Sequence, residues 1–284
     1  MGIGVRIPGY PPVKVNNIMK ISIYTLILPR LEVFFLEEWI DHHLALGIDE
    51  IYIYDNGVNN ITDSTPAFNR QKGSYCRSLR RDEVGIKWIK KPDADYNLEY
   101  SDDEIYQELD RITNMYDDRV KVVSWKNGID HNMRHPRQQI IGFKNCVRRY
   151  KSDWWLHIDP DEFIVLNQHN SFQQLIDIND IAGCFKFGQR VFSSREKDKP
   201  VKNIYNWGYD LFHIKKCLII NDIIHYHIHD LEPKAGSIVN LDFNIGLIHH
   251  YRGEPSTMGG ICHDSKRHCK FDKIDKGMDK HVYK

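Results

Sequence analysis

No long hydrophobic run interrupts this 284-residue chain. The longest apolar stretch near its start, Ile21 to Leu28, is far too short to cross a bilayer. Residues 1–18 carry glycine and proline but no signal-peptide core, which argues against secretion. An excess of either charge is missing too: 39 basic residues balance 39 acidic ones, where a dedicated nucleic-acid binder would carry a basic surplus. Cysteine is sparse, six scattered residues, and reads as reduced thiols. There is no internal repeat and no low-complexity linker. What is left is an ordinary globular composition, 41% hydrophobic and 27% charged, with ample length for a core. These absences predict a soluble, cytoplasmic protein with no membrane span and no nucleic-acid partner.

The first half alternates two periodicities. Ile21 to Leu28 is a β-branched apolar run ending at Pro29, as a buried strand should. Leu31 to Leu46 carries apolar residues at helical spacing (Phe35, Leu36, Trp39, Ile40, His43, Leu44), with Gly47 placed to end the helix. Ile51 to Tyr54 is a second strand, closed by the turn Asp55-Asn56-Gly57. Gly85 to Ile89 and Val120 to Trp125 read as further strands, with a helix over 102–116 between them. Pro136 to Tyr150 is a helix and Trp154 to Ile158 the strand that follows it. This rhythm predicts an α/β fold with a largely parallel sheet covered by helices. After about residue 183 the pattern becomes strand-rich and loop-rich. One compact domain over 19–255 is expected, in two parts (19–166 and 167–255). A loose arm (1–18) precedes it and a basic tail (256–284) follows.

The stretch Trp154 to Leu166 raises the chemical question. Asp159, Asp161 and Glu162 sit between two apolar segments, and ionised carboxylates are costly to bury unless paired or bound to a metal. In open α/β sheets ligands bind at the carboxyl ends of the strands, which is where Asp159 to Glu162 falls. Asp-x-Asp puts two side chains on one side of an extended backbone, able to take Mg²⁺ or Mn²⁺ with substrate phosphates completing the shell. An acidic surface turn is the bland alternative.

At this point the strings resemble a known family. LEEWIDHHLALGIDEIYIYDNG (Leu36 to Gly57) and QIIGFKNCVRRYKSDWWLHIDPDEFI (Gln139 to Ile164) resemble glycosyltransferase family 92 and its bacterial and viral relatives. KCLII (Lys216 to Ile220) and HHYRGEP (His249 to Pro255) resemble its two weaker blocks. Where the family shows an Arg-Asn-Glu string, this chain has Pro29-Arg30-Leu31-Glu32, and it shows no N-terminal anchor of the animal type. The resemblance implies a GT-A fold and a microbial or viral type of enzyme, with 19–166 as the nucleotide-sugar-binding half and 167–255 as the acceptor and metal-completing half. It implies an inverting, metal-dependent transfer of a sugar, galactose or xylose, from a UDP-sugar to a glycan hydroxyl. By position Asp55 would meet the uridine and Asp159 the ribose or donor sugar, with a share in the metal. Asp161 would hold Mn²⁺ or Mg²⁺ and His250 would complete its shell, with His249 and His227 behind it. Arg30, Gln139 and Arg252 are the remaining expected donor contacts. Inversion needs a general base downstream of Asp161: Asp210 first, then Glu196, then Asp230. Trp207 and Tyr209 could stack an acceptor sugar.

Other readings stay open. A metal-dependent phosphohydrolase or nuclease would use Asp159, Asp161 and the histidines as a two-metal site. A non-catalytic carbohydrate- or nucleotide-binding protein could share the fold. His225, His227 and His229 alternate like one face of a strand, and Arg134, Arg137, Arg148 and Arg149 cluster on or near the helix before the Asp-x-Asp strand, where Arg148 and Arg149 read as a solvated face. Cys262, His263, His268 and Cys269 supply zinc-ligand types at a spacing unlike the usual one.

Overall fold

The computed structural model describes residues 19–57, 76–82, 85–89, 100–125, 135–179, 181–192, 206–227, 230–251 and 273–274. In chain order the elements are β1 (Ile21–Ile27), α1 (Pro29–Ala45), β2 (Glu50–Asp55), β3 (Cys76–Asp82), β4 (Gly85–Ile89), α2 (Asp102–Asn114), β5 (Val120–Ser124) and α3 (His135–Arg149). Then come β6 (Trp154–His157), β7 (Glu162–Leu166), α4 (Phe172–Ile178), β8 (Ala182–Phe192), β9 (Asn206–Ile220), β10 (Ile223–His227), β11 (Asp230–Pro233), β12 (Ser237–Asn240), β13 (Gly246–Tyr251) and β14 (Lys273–Ile274).

One large sheet runs β5-β2-β1-β6-β9-β8-β13-β7, with β12 beside β8 and β14 beside β9. The pairs β5–β2, β2–β1 and β1–β6 are parallel, so the expected βαβ rhythm builds this half, except that Gly85–Ile89 leaves it to pair antiparallel with β3 in a separate two-stranded sheet. From β6 onward the sheet is mixed: β9 runs antiparallel to both β6 and β8, while β13 is parallel to β8 and antiparallel to β7. The chain is thus α/β with a helix-flanked sheet and a strand-rich C-terminal part, as its pattern predicts.

Alternation along β1 explains the layers. Ile21, Ile23 and Ile27 join a core with Val33, Leu36, Trp39 and Ile40 of α1 and Ile105, Leu109 and Ile112 of α2. Tyr24 and Leu26 point the other way, into a second core with Phe143 and Cys146 of α3. Every residue of β1 is buried, as a strand covered on both faces must be.

Local chemistry sets the helix ends. Pro29 opens α1, and Glu32 reaches back to accept the Leu28 amide at 2.7 Å. Gly47, at φ +87°, closes it in a conformation that few other residues adopt cheaply. A full capping box, Ser101 with Glu104, starts α2. Gly142 lets α3 lie close to β1, because a side chain there would run into the Tyr24 ring.

Candidate active site

The carboxylate stretch is the turn between β6, in the middle of the sheet, and β7, at its edge. The Glu162 amide closes the turn on the Asp159 carbonyl at 3.0 Å. Two contacts pin it from outside: the Tyr251 amide donates to the Asp161 carbonyl at 2.8 Å, and the Trp39 indole N–H donates to the Glu162 carbonyl at 2.8 Å. Antiparallel pairing of β13 with β7 sets His250 directly opposite Glu162. Strands far apart in the chain therefore converge on four consecutive residues.

Three carboxylates meet three different fates. Asp159 accepts from the Gln139 amide through Oδ1 at 2.7 Å and from the Lys216 ammonium through Oδ2 at 2.8 Å. Glu162 accepts the Asp159 amide and, through Oε1, the Gln189 side-chain amide at 2.8 Å, with Lys216 3.3 Å from Oε2. Asp161 faces the histidine: its Oδ2 lies 3.3 Å from His250 Nε2. The His250 Nδ1 in turn lies 3.0 Å from Gln189 Oε1. Lys216, Glu162, Gln189 and His250 are all buried, whereas the Asp161 side chain is 26% exposed.

Electrostatics separate the pair that shares Lys216. Burial opposes ionisation of Asp159, but the ammonium beside it holds its carboxyl well below the usual carboxylate range. Glu162 is farther from that ammonium, and burial pushes its carboxyl up, with Asp159 and Asp161 adding to the effect. Burial pulls Lys216 down, yet the two carboxylates together raise it above the ordinary lysine value.

At the neighbouring strand end, the Asp55 carboxylate accepts the Gly57 amide at 2.7 Å, and Gly57 holds φ +88°. Asn56 donates to the Gln138 side chain at 2.7 Å, which ties β2 to the first turn of α3. Asp55, Asn56, Gln138 and Gln139 are buried and belong to this edge of the sheet. Arg30 does something other than expected of it: it donates to the Tyr100 carbonyl at 2.8 Å and pairs with Asp102, joining the start of α1 to that of α2.

Asp210 is not brought to this group. It lies opposite Arg190 on β8, whose guanidinium meets its two oxygens at 2.9 and 3.3 Å. Side chains alternate along a strand, so Arg190 and Asp210 occupy the face opposite to Gln189. His249 likewise faces away from Glu162, stacked against Phe192 at 4.3 Å between ring centroids, and His225 is exposed. Arg148 and Arg149 are exposed, the solvated face expected. Glu196, Arg252, His229, Arg134 and the Cys262, His263, His268 and Cys269 set lie outside the described residues. So do the side chains of Arg137, Trp207, Tyr209, His227 and Asp230.

Among the described residues no three His, Cys, Asp or Glu side chains gather as a ready-made metal cage. A pair does: Asp161 and His250 offer one oxygen and one nitrogen. That suits a hard divalent cation of the Mn²⁺ type, which keeps waters and takes substrate phosphates as further ligands. Asp159 faces Gln139 and Lys216, each of its oxygens accepting one hydrogen bond.

Sequence reasoning did not reach Lys216 or Gln189. Lys216 opens the KCLII string, but one of two adjacent lysines in a strand gives no sign of being the buried one. Gln189 sits in an apolar run with nothing in its spacing to mark it.

Residues 96–283, more than half of the chain, match the model of glycosyltransferase family 92. The match begins beyond the Leu36 to Gly57 block and includes the carboxylate turn, Lys216 and His250. No curated protein matches. Among solved structures, S. aureus TarS 1-349 is 10% identical with a TM-score of 0.34, over 71% of this chain and 47% of that one. The same protein in complex with UDP-GlcNAc gives 10% and 0.31, over 70% and 45%. The chain thus spans less than half of either structure, in a likeness too slight to carry a shared mechanism. The family match is of another order: this chain belongs to glycosyltransferase family 92.

Proposed function

We propose that the chain is a metal-dependent inverting transferase that moves galactose or xylose from a UDP-sugar to a glycan hydroxyl. The observation that supports this best is the Asp161–His250 pair at the end of the central strands, 3.3 Å apart and set off from the two carboxylates that pair with Lys216. Asp161 and His250 hold Mn²⁺ or Mg²⁺. When bound, the cation neutralises the diphosphate and stabilises the charge that develops on departing UDP.

The protein's own residues do the rest. Asp159, fixed by Gln139 and Lys216, presents its carboxylate to the ribose or donor sugar instead of to the cation. Asp55, held in its turn by the Gly57 amide, meets the uridine, and Arg252 takes the diphosphate as a bidentate partner. The acceptor hydroxyl gives its proton to a carboxylate as its oxygen attacks the anomeric carbon and the bond to UDP breaks. Both Asp210 oxygens accept from Arg190 on the far face, so Glu196 takes this role.

A two-metal phosphohydrolase is disfavoured by the same geometry, because Asp159 and Glu162 spend their charge on Lys216. The test is UDP release from a panel of nucleotide sugars, with Mn²⁺ and then with EDTA. Turnover of UDP-galactose or UDP-xylose that EDTA abolishes supports the reading. Phosphoester hydrolysis without sugar transfer, or turnover indifferent to EDTA, contradicts it.

A further inference from the structure

His250 has two ring nitrogens, and the residues behind it specify which one carries the proton. Its Nδ1 meets Gln189 Oε1 at 3.0 Å, and the Gln189 amide nitrogen meets Glu162 Oε1 at 2.8 Å. A glutamine amide has a donor end and an acceptor end, so the state at one neighbour dictates the state at the other.

For a neutral imidazole two arrangements are self-consistent. In the first, Glu162 is a carboxylate, accepts from the Gln189 NH₂, and leaves the Gln189 carbonyl to accept from a protonated Nδ1. The Nε2 lone pair then faces Asp161. In the second the amide is turned over, which requires a protonated Glu162 donating to the Gln189 carbonyl. The NH₂ then donates to Nδ1, and Nε2–H donates to Asp161, leaving no imidazole lone pair on that side.

The surroundings of Glu162 choose between them. Its other oxygen accepts the Asp159 backbone N–H at 3.0 Å and lies 3.3 Å from the Lys216 ammonium. The structure holds the first arrangement, with the Gln189 nitrogen 2.8 Å from Glu162 Oε1 and its oxygen 3.0 Å from His250 Nδ1, and the Lys216 ammonium favours the carboxylate that this arrangement needs.

We infer that Gln189 is a positioning residue which, oriented by Glu162 and Lys216, keeps the proton of neutral His250 on Nδ1 and turns the Nε2 lone pair toward Asp161. Metal-binding imidazoles generally have the other ring nitrogen held in this way, and the holding group sets ring orientation and ligand strength. The proton's place matters for catalysis only through the cation role proposed above, but it is a property of the metal-free protein and is measurable there.

The experiment is ¹⁵N-histidine NMR of the metal-free full chain near neutral pH, with the His250 signals identified by their loss in His250→Gln. Wild type should show the Nδ1–H form. Gln189→Met, which fills the same space without an acceptor, should move the ring toward Nε2–H, because Asp161 Oδ2, 3.3 Å from Nε2, is then nearer than Glu162 Oε1, 3.5 Å from Nδ1. Glu162→Gln, which lets the amide turn either way, should give a mixture. Direct Mn²⁺ titration should show affinity ~10–100-fold weaker in Gln189→Met than in wild type. An Nε2–H ring in wild type, or a Gln189→Met ring unchanged from wild type, overturns the inference. If the ring responds as stated but no form of the protein binds Mn²⁺, the positioning role stands and the metal reading falls.

Discussion

Lys216 and Glu162 lie 3.3 Å apart with both side chains fully buried, and the same ammonium reaches Asp159 at 2.8 Å. One lysine thus pairs with the outer members of Asp159-Pro160-Asp161-Glu162 and leaves the middle carboxylate to another partner. Removing one member of a buried ion pair strands the others. Lys216→Met is therefore expected to cost about 3–5 kcal/mol in urea unfolding. A loss below about 1 kcal/mol, the range of exposed pairs, would mean that the carboxylates do not depend on it.

A second ion cluster sets an acid limit. Burial works against the Glu50 carboxyl, but Lys20, Tyr52 and Lys121 hold it down at about 2. In the unfolded chain it titrates near about 4.3. A folded value below the unfolded one contributes stability above about pH 4.3, which is lost as pH falls toward 2. The stability gap between wild type and Glu50→Gln should be flat from neutral pH to about 5 and close by about 2. A gap that persists at low pH would show that the carboxylate charge is not its source.

Packing links α3 to the site. Gly142 lies against Tyr24, and Gln139, one turn earlier on the same helix, holds Asp159. Gly142→Ala should push α3 off β1, costing about 1–3 kcal/mol as overpacking does. UDP-sugar turnover should fall with it, measured well below the unfolding temperature. An unchanged melting temperature would mean that Tyr24 yields without cost.

The acceptor side separates two carboxylates. Glu196→Gln should lower transfer by roughly 10²–10⁴-fold, as loss of a general base does. Asp210→Asn should leave the chemical step largely intact while weakening the bridge to Arg190. A large loss of transfer in a folded Asp210→Asn protein would return the base role to Asp210.

The strands and helices of the first half are readable because apolar β-branched runs alternate there with period-3.6 patterns, with Pro29 and Gly47 marking ends; the order of the strands in the sheet is not. The carboxylate turn was readable too, since charges between buried strands demand a reason. His250 stood out through its neighbours in the HHYRGEP string. The partners of Arg30 and Asp210 were not legible for a common reason: a charged side chain near a strand end has more than one possible partner, and Asp102 and Arg190 come from distant elements. Lys216 and Gln189 were invisible because burial of a lone polar residue depends on long-range pairing, here the join of β8 to β9 and β13. No local pattern encodes that join.

The most direct measurement is Mn²⁺ binding in the presence of UDP to wild type, Asp161→Asn, His250→Gln and Asp159→Asn. Wild type should bind, Asp161→Asn and His250→Gln should lose most of the affinity, and Asp159→Asn should keep it, because its carboxylate serves Gln139 and Lys216. Binding that survives Asp161→Asn but fails in Asp159→Asn would contradict the central claim and move the cation to the other carboxylate.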